Sequence, residues 1–370
     1  MSLLTIEKRL SPTPGIRLAV TLVSVFLAFV LSGLVILAIG VNPIEAYGAL
    51  FQGAFGSLYG LSETLVKATP LILCSLGVAA ALRMKLWNIG AEGQYVAGAL
   101  AASLVALNFA SLPSWVLLPL MLLAGGLGGG VWAGIAGLLR AFLSVNEIIT
   151  TLLMNWIAIL LSSYFVYGPL KGADGFPFSR KFCEGACLPD LGWGRLHVGI
   201  FIALAAAGLL FVVLKKTVWG FQVRVIGENE TAARYAGMRI ERNIVLVLFL
   251  SGALAGMAGF SEVAGIEHRV ARVVASGYGY TAILIAWLAR THPLAVVLVS
   301  LLFGGLLTGG EMIQISLLVP VSVVQILEGA ILFFLLAGEI LVNYRIGFRH
   351  AARRTMPGTG KESQRVTCKV

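Results

Sequence analysis

The sequence predicts an all-α membrane protein, a polytopic bundle of about ten transmembrane helices (eight to ten) with both termini cytoplasmic. Three observations predict it. First, 58% of the 370 residues are hydrophobic and only 12% are charged, against roughly 25% charged in soluble domains, and the mean hydropathy is +0.93. So few charges cannot keep a surface of this size wet, so most of it faces lipid. Second, apolar runs of about 20 residues, the length that crosses a bilayer core, recur along the chain. Third, the basic residues behind the net charge of +10 sit in the gaps between those runs. That placement suits loops held at a membrane face, not a surface for nucleic acid.

In order, the runs are 18–41, 62–82, 93–110, 115–138, 146–168, 197–215, 243–262, 277–289, 294–311 and 320–343. The first is too long for the apolar core of a signal peptide and lacks a small-x-small cleavage pattern, so it reads as a retained span. The eighth is short, and the ninth follows it directly after His292-Pro293. The two form either separate spans or one re-entrant unit. With both termini inside, 20 of the 27 Lys and Arg residues fall in inside loops, 6 fall outside, and Lys67 lies within a span. That asymmetry fixes the expected orientation. The chain then divides into a cytoplasmic segment 1–17, a transmembrane domain 18–343 and a basic cytoplasmic tail 344–370. An external loop covers 169–196 and a cytoplasmic loop 216–242. The expected location is the inner (plasma) membrane, multi-pass.

Catalytic and metal patterns are missing from the sequence. Cys74, Cys183, Cys187 and Cys368 have no paired zinc spacing. Cys183 and Cys187 share the external loop and are a candidate disulfide, bonded or free. The four histidines are dispersed, and H-E-x-x-H, G-x-S-x-G and Walker A patterns do not occur. The chain therefore reads as a non-enzyme without its own ATPase domain and without a cofactor. Its energy must come from a gradient or a partner protein.

Polar residues inside or beside the spans are the candidate pathway. Asn88, Glu92 and Gln94 run straight into the third apolar run, with Gly90 and Gly93 between them. They line an irregular backbone entry into the bilayer, or Glu92 is simply an acid at a helix start. Thr151 and Asn155 lie one turn apart on the fifth run and either line a cavity or bridge helices. Glu63 and Lys67, four apart, are placed to pair with each other. Glu262, Glu267, His268, Arg269 and Arg272 cluster outside. Gly130-x3-Gly134 and Gly252-x3-Gly256 are close-approach patterns for helices.

The cytoplasmic loop carries Gly227-Glu-Asn-Glu-Thr-Ala-Ala-Arg-Tyr-Ala-Gly-Met238. Asn229 or Thr231 caps a short helix there, Ala232, Ala233 and Ala236 give it small sides, and Gly237 ends it. Such a helix fits a groove on a partner, or is a plain surface helix.

Leu86-Trp-Asn-Ile-Gly-Ala-Glu-Gly-Gln94, the loop from Gly227 to Met238, and the run from Gly277-Tyr-Gly-Tyr-Thr281 through Arg290 to Phe303-Gly-Gly-Leu306 together resemble a known family. It comprises the membrane permease subunits of bacterial ABC importers for ribose, other simple sugars and branched-chain amino acids. The Asn-Ile-Gly-Ala-Glu-Gly-Gln wording is similar to the nucleoside and simple-sugar branch. The resemblance covers roughly 40–345. It implies a coupling helix at 228–238 that docks on a cytoplasmic ATPase, with Glu228, Asn229, Thr231, Ala232, Ala233, Ala236 and Gly237 as the coupling residues. It implies three protein partners: a second permease subunit, the ATPase, which binds the ATP, and an external substrate-binding protein. Leu86-Trp87 and the long loop with the two cysteines depart from the pattern. A gradient-driven transporter of a small polar solute is the alternative, and a membrane-embedded enzyme ranks third.

Overall fold

A computed structural model of the chain describes residues 4–8, 14–172, 176–270, 277–320 and 322–348. Its helices are α1 (Pro14–Ala38), α2 (Pro43–Phe55), α3 (Leu58–Arg83), α4 (Ala91–Asn108), α5 (Ser114–Leu143), α6 (Glu147–Tyr167), α7 (Gly199–Lys216), α8 (Val218–Glu228), α9 (Glu230–Tyr235), α10 (Ile240–Glu262), α11 (Tyr278–Leu288), α12 (Pro293–Leu317) and α13 (Ser322–Asn343). Each of the ten apolar runs has its helix. Among the described residues seven of them, α1, α3, α5, α6, α7, α10 and α12, are long and apolar enough to cross a membrane. The 11 residues of α11 reach only about 16 Å at 1.5 Å per residue, roughly half a hydrocarbon core. The doubtful eighth run is thus a half-span. The turn after it has positive φ at Arg290 and Thr291, and Pro293 opens α12 at its first turn.

Two compact units divide the chain, Leu31–Gly329 and the pair Met1–Val30 with Ala330–Val370. In the smaller unit, β1 (Leu4–Lys8) and β2 (Tyr344–Phe348) form an antiparallel ribbon that joins the two terminal segments. Ser24 donates to the carbonyl of Phe334 at 2.9 Å.

In the larger unit, α4, α5 and α10 meet almost backbone to backbone. A Cβ at Gly98 would strike Gly256, one at Gly256 would strike the carbonyl of Gly125, and one at Gly252 that of Gly129. The expected close approach on α10 is there, but its partners on α5 are Gly125 and Gly129. A Cβ at Gly130 would instead meet the ring of Phe249. In lipid, where apolar side chains gain nothing from leaving the solvent, such close contact supplies the attraction between helices.

α2 has no counterpart among the apolar runs. Asn42 caps it by accepting from the amide of Ile44 at 3.0 Å, and Pro43 sits at its first turn. Gly309 and Gly53 let it lie close on α12, against Leu50 and Met312.

Candidate functional site

Three polar regions are candidates, and the chain builds each differently. The first lies where α3 hands over to α4. Asn88 and Gln94 exchange a reciprocal pair of amide hydrogen bonds, both 2.8 Å. Asn88 Nδ2 also donates to Ser251 on α10 at 2.8 Å, and its Oδ1 accepts from the amide of Gly90 at 3.0 Å. Asn155 on α6 accepts from the amide of Gly93 at 2.8 Å. It donates to the carbonyl of Ile89 at 2.9 Å and to the Tyr280 hydroxyl at 3.2 Å. The Glu92 carboxylate accepts from the amides of Gly277 and Gly279 at 2.8 and 2.7 Å. Thr151 donates to the carbonyl of Glu147 at 2.7 Å and packs its Cβ where Gly90 leaves room.

Asn88, Glu92, Gln94, Thr151 and Asn155 are therefore brought together, and all are buried inside this one subunit. The residues that complete the knot, Ser251, Tyr280 and the backbone of Gly277 and Gly279, were not singled out from the sequence as its members. The Gly277-Tyr-Gly-Tyr wording was the available signal. Gly279 is required, because a Cβ there would strike the backbone of Glu92. Backbone that is not helical at membrane depth needs protein partners for its amides, and here a carboxylate and two amide side chains supply them.

The second region is the helical hairpin at one end of the bundle. Thr217 opens α8 by accepting from the amide of Gly220 at 3.1 Å. Gly227 brings α8 onto the backbone of Arg83 and Met84 at the end of α3. Asn229 caps α9, accepting from the amide of Ala232 at 3.0 Å, and Gly237 turns the chain at φ 76°. The surface around this helix is not uniform. Glu228, Asn229, Thr231, Ala232, Ala236 and Gly237 are exposed, and Tyr235 is 90% exposed. Ala233 is 0% exposed, packed with Ala81, Met84, Val223, Ile226, Ile240 and Val247. The expectation that all three alanines face a partner needs this correction: Ala233 holds α9 to its own subunit. The sequence alone does not single out Tyr235, because which side of α9 stays open is decided by the elements it packs on.

The third region is at the other end of α3. Glu63 and Lys67 do not pair with each other. Glu63 accepts from Arg195 Nε at 2.9 Å, and Lys67 binds Glu311 on α12 at 2.6 Å. The loop that brings Arg195 is strung along the chain leaving α10. Phe182 and Leu188 donate their amides to the carbonyls of His268 and Ala264, at 2.9 and 2.8 Å. His197 lies buried beneath Gly265, which has no Cβ to collide with it. Burial lowers the His197 imidazole to about 4, although Asp190 opposes the shift. Arg269 stacks over the Phe178 ring at 3.9 Å, while Arg272 of the same expected cluster is outside the described residues. Cys183 and Cys187 are free thiols in the structure. A single turn of 3-10 helix (Glu184–Ala186) separates them, and Cys187 Sγ lies 3.6 Å from the carbonyl of Cys183.

The knot holds backbone, the hairpin offers one exposed face, and the apolar flanks suit lipid. This defines a membrane-embedded helical protein with one helix face left open. Among the described residues no group of His, Cys, Asp or Glu is arranged to hold a metal. Residues 60–336 match the family described as "Branched-chain amino acid transport system / permease component". The chain belongs to that permease family and is a multi-pass membrane protein. It is 41% identical over 336 residues to a glucose ABC transporter permease of Haloferax volcanii, covering 88% of each chain. It is 37% identical to the guanosine ABC transporter permease protein NupP of Bacillus subtilis, covering 92% of this chain and 97% of that one. A second guanosine permease protein of the same organism, NupQ, is 27% identical over 65% of this chain and 78% of that one.

Proposed function

We infer that the chain carries nucleosides or related sugars as one of two permease subunits in an ATP-driven importer. A separate cytoplasmic ATPase drives it and an external binding protein supplies it. The relatives named for guanosine and glucose support the substrate class, and the pair NupP and NupQ supports a second permease subunit. One observation carries the coupling assignment. α9 buries Ala233 in its own subunit and turns Thr231, Ala232, Tyr235 and Ala236 outward. A helix fixed on one side and bare on the other transmits a push from a partner to α3 and α10.

The charge asymmetry supports a cytoplasmic hairpin and an external loop 169–196. A membrane-impermeant thiol reagent should label an engineered cysteine at Arg180 in intact cells and spare one at Tyr235. The opposite pattern would overturn the orientation.

The buried knot of Asn88, Glu92, Gln94, Thr151 and Asn155 is assigned a positioning role beside the pathway. It fixes the start of α11 against α4, so it sets where the half-span ends in the bilayer.

The deciding experiment alters a single exposed alanine. Ala232→Trp acts on the exposed face. It should leave the subunit folded while ATPase co-purification and substrate-stimulated ATP hydrolysis fall about tenfold, a change of roughly 1.4 kcal/mol at the contact. A variant with normal ATPase association and normal transport would sink the coupling assignment and favour a gradient-driven carrier.

A further inference from the structure

A groove of about 420 Å³ opens between the end of α5 and the start of α10. Its walls are apolar: Leu138 and Phe142 from α5, Val245 and Leu246 from α10. Phe142 is 68% exposed, and Leu138 is also open on the outer side of the helix. Its rim is basic. Arg239, the residue before α10, and Arg242 in its first turn both border the groove. Neither enters an ion pair among the described residues, unlike Arg140, Arg195 and Arg234. The lining acid, Glu241, is 3.5 Å from Arg234 on α9 and is matched there.

We propose that this groove binds an anionic phospholipid, with the phosphate on Arg239 and Arg242 and the first acyl carbons against Phe142, Leu138 and Leu246. Charge complementarity and depth together select that occupant. The arginines stand where two long apolar helices reach the membrane boundary, which is the height of lipid headgroups. The free amides at the start of α10 add positive potential on the same side. A soluble anion would use the arginines and leave the apolar walls wet, and a zwitterionic lipid would carry no net charge for them. Glu241 also lines the groove, and its pairing with Arg234 on α9 keeps that carboxylate from standing unmatched beside the phosphate.

Native mass spectrometry on the intact transporter complex tests this, with phosphatidylglycerol and phosphatidylcholine offered in equal amounts. Phosphatidylglycerol should be retained in preference. Each surface Lys or Arg near an anionic lipid contributes about fivefold in affinity, so Arg239→Gln with Arg242→Gln should cut retention roughly 25-fold. Replacing both with Lys should keep most of the preference. Replacing Lys215 and Lys216 at the end of α7 with Gln should change nothing. Equal retention of the two lipids by the unaltered complex would overturn the proposal, and that readout needs no variant to fold. A loss as large in the Lys215/Lys216 variant would overturn the location. Release of the lipid when the ATPase binds would show the groove to be part of that interface and would also overturn it.

Discussion

The knot around Asn88 and the hairpin around Tyr235 both read in the sequence as short polar motifs next to apolar runs. The structure treats them in opposite ways. Asn88, Glu92, Gln94, Thr151 and Asn155 are buried and spend their hydrogen bonds inside the subunit, and only Tyr280 at the edge of the knot is open. The hairpin buries one alanine and leaves the rest of α9 bare. A polar motif whose donors and acceptors are all matched internally serves the fold. A motif with a fixed inner face and an unmatched outer one is available to a partner. The comparison also corrects a natural experiment. A bulky residue at Ala233, chosen from its small size, would disturb the subunit and not the contact between proteins.

Four measurements break or sharpen this contrast. Glu92→Ala should have the largest effect. It leaves the buried amide of Gly279 and the half-buried amide of Gly277 without acceptors, and a fully buried unmatched group costs about 1–3 kcal/mol. Detergent-solubilised protein should show a large fall in melting temperature. Glu92→Gln restores one acceptor but sets an amide donor against the other N–H, so it should fall between Ala and the unaltered chain. A normal melting temperature with lost transport would instead place Glu92 in the conduit itself.

Next is Ala233→Trp, which forces a large ring into a packed cluster. Overpacking costs about 1–3 kcal/mol, so this variant should melt lower, while Ala232→Trp, on the exposed face, should melt within about 0.5 kcal/mol of the unaltered chain. Equal stability of the two would erase the distinction between the faces of α9.

Asn229→Ala should follow, at about 1 kcal/mol for a lost helix cap. Only α9 depends on that bond. Hydrogen exchange should therefore quicken in 230–236 and stay unchanged at Gly90 and Gly93. Faster exchange in both would mean that the hairpin and the knot are not independent.

The last effect is one of pH, confined to the loop at the other end of α3. His197 is held near 4 in the fold, against about 6.5 when unfolded. The unfolded chain thus binds more protons between these values, and stability falls as pH drops from 6.5 toward 4. Limited proteolysis of 176–196 should be faster at pH 5 than at pH 7, and the difference should shrink in His197→Gln. An unchanged difference in that variant would clear His197 of the effect.

Much of this protein was legible in its sequence. The ten apolar runs each became a helix, because a span is set by the length and composition of one continuous segment. The cap at Asn229 and the stop at Gly237 were readable for the same reason, since both act on backbone a few residues away. The short α2 escaped because its 13 residues are too few for a span. Other features had no local signal at all. Glu63 and Lys67 sit four apart, yet one binds Arg195 and the other Glu311. Gly252 and Gly256 announced a close approach, yet only packing chose Gly125 and Gly129 over Gly130 and Gly134. Ala232 and Ala233 are the same residue in the same short helix, and only the neighbouring ends of α3, α8 and α10 decide which one a partner can reach. Propensity, capping and span length are properties of adjacent residues. Burial, pairing and facing are properties of residues far apart in the chain, and they exist only once the helices have packed.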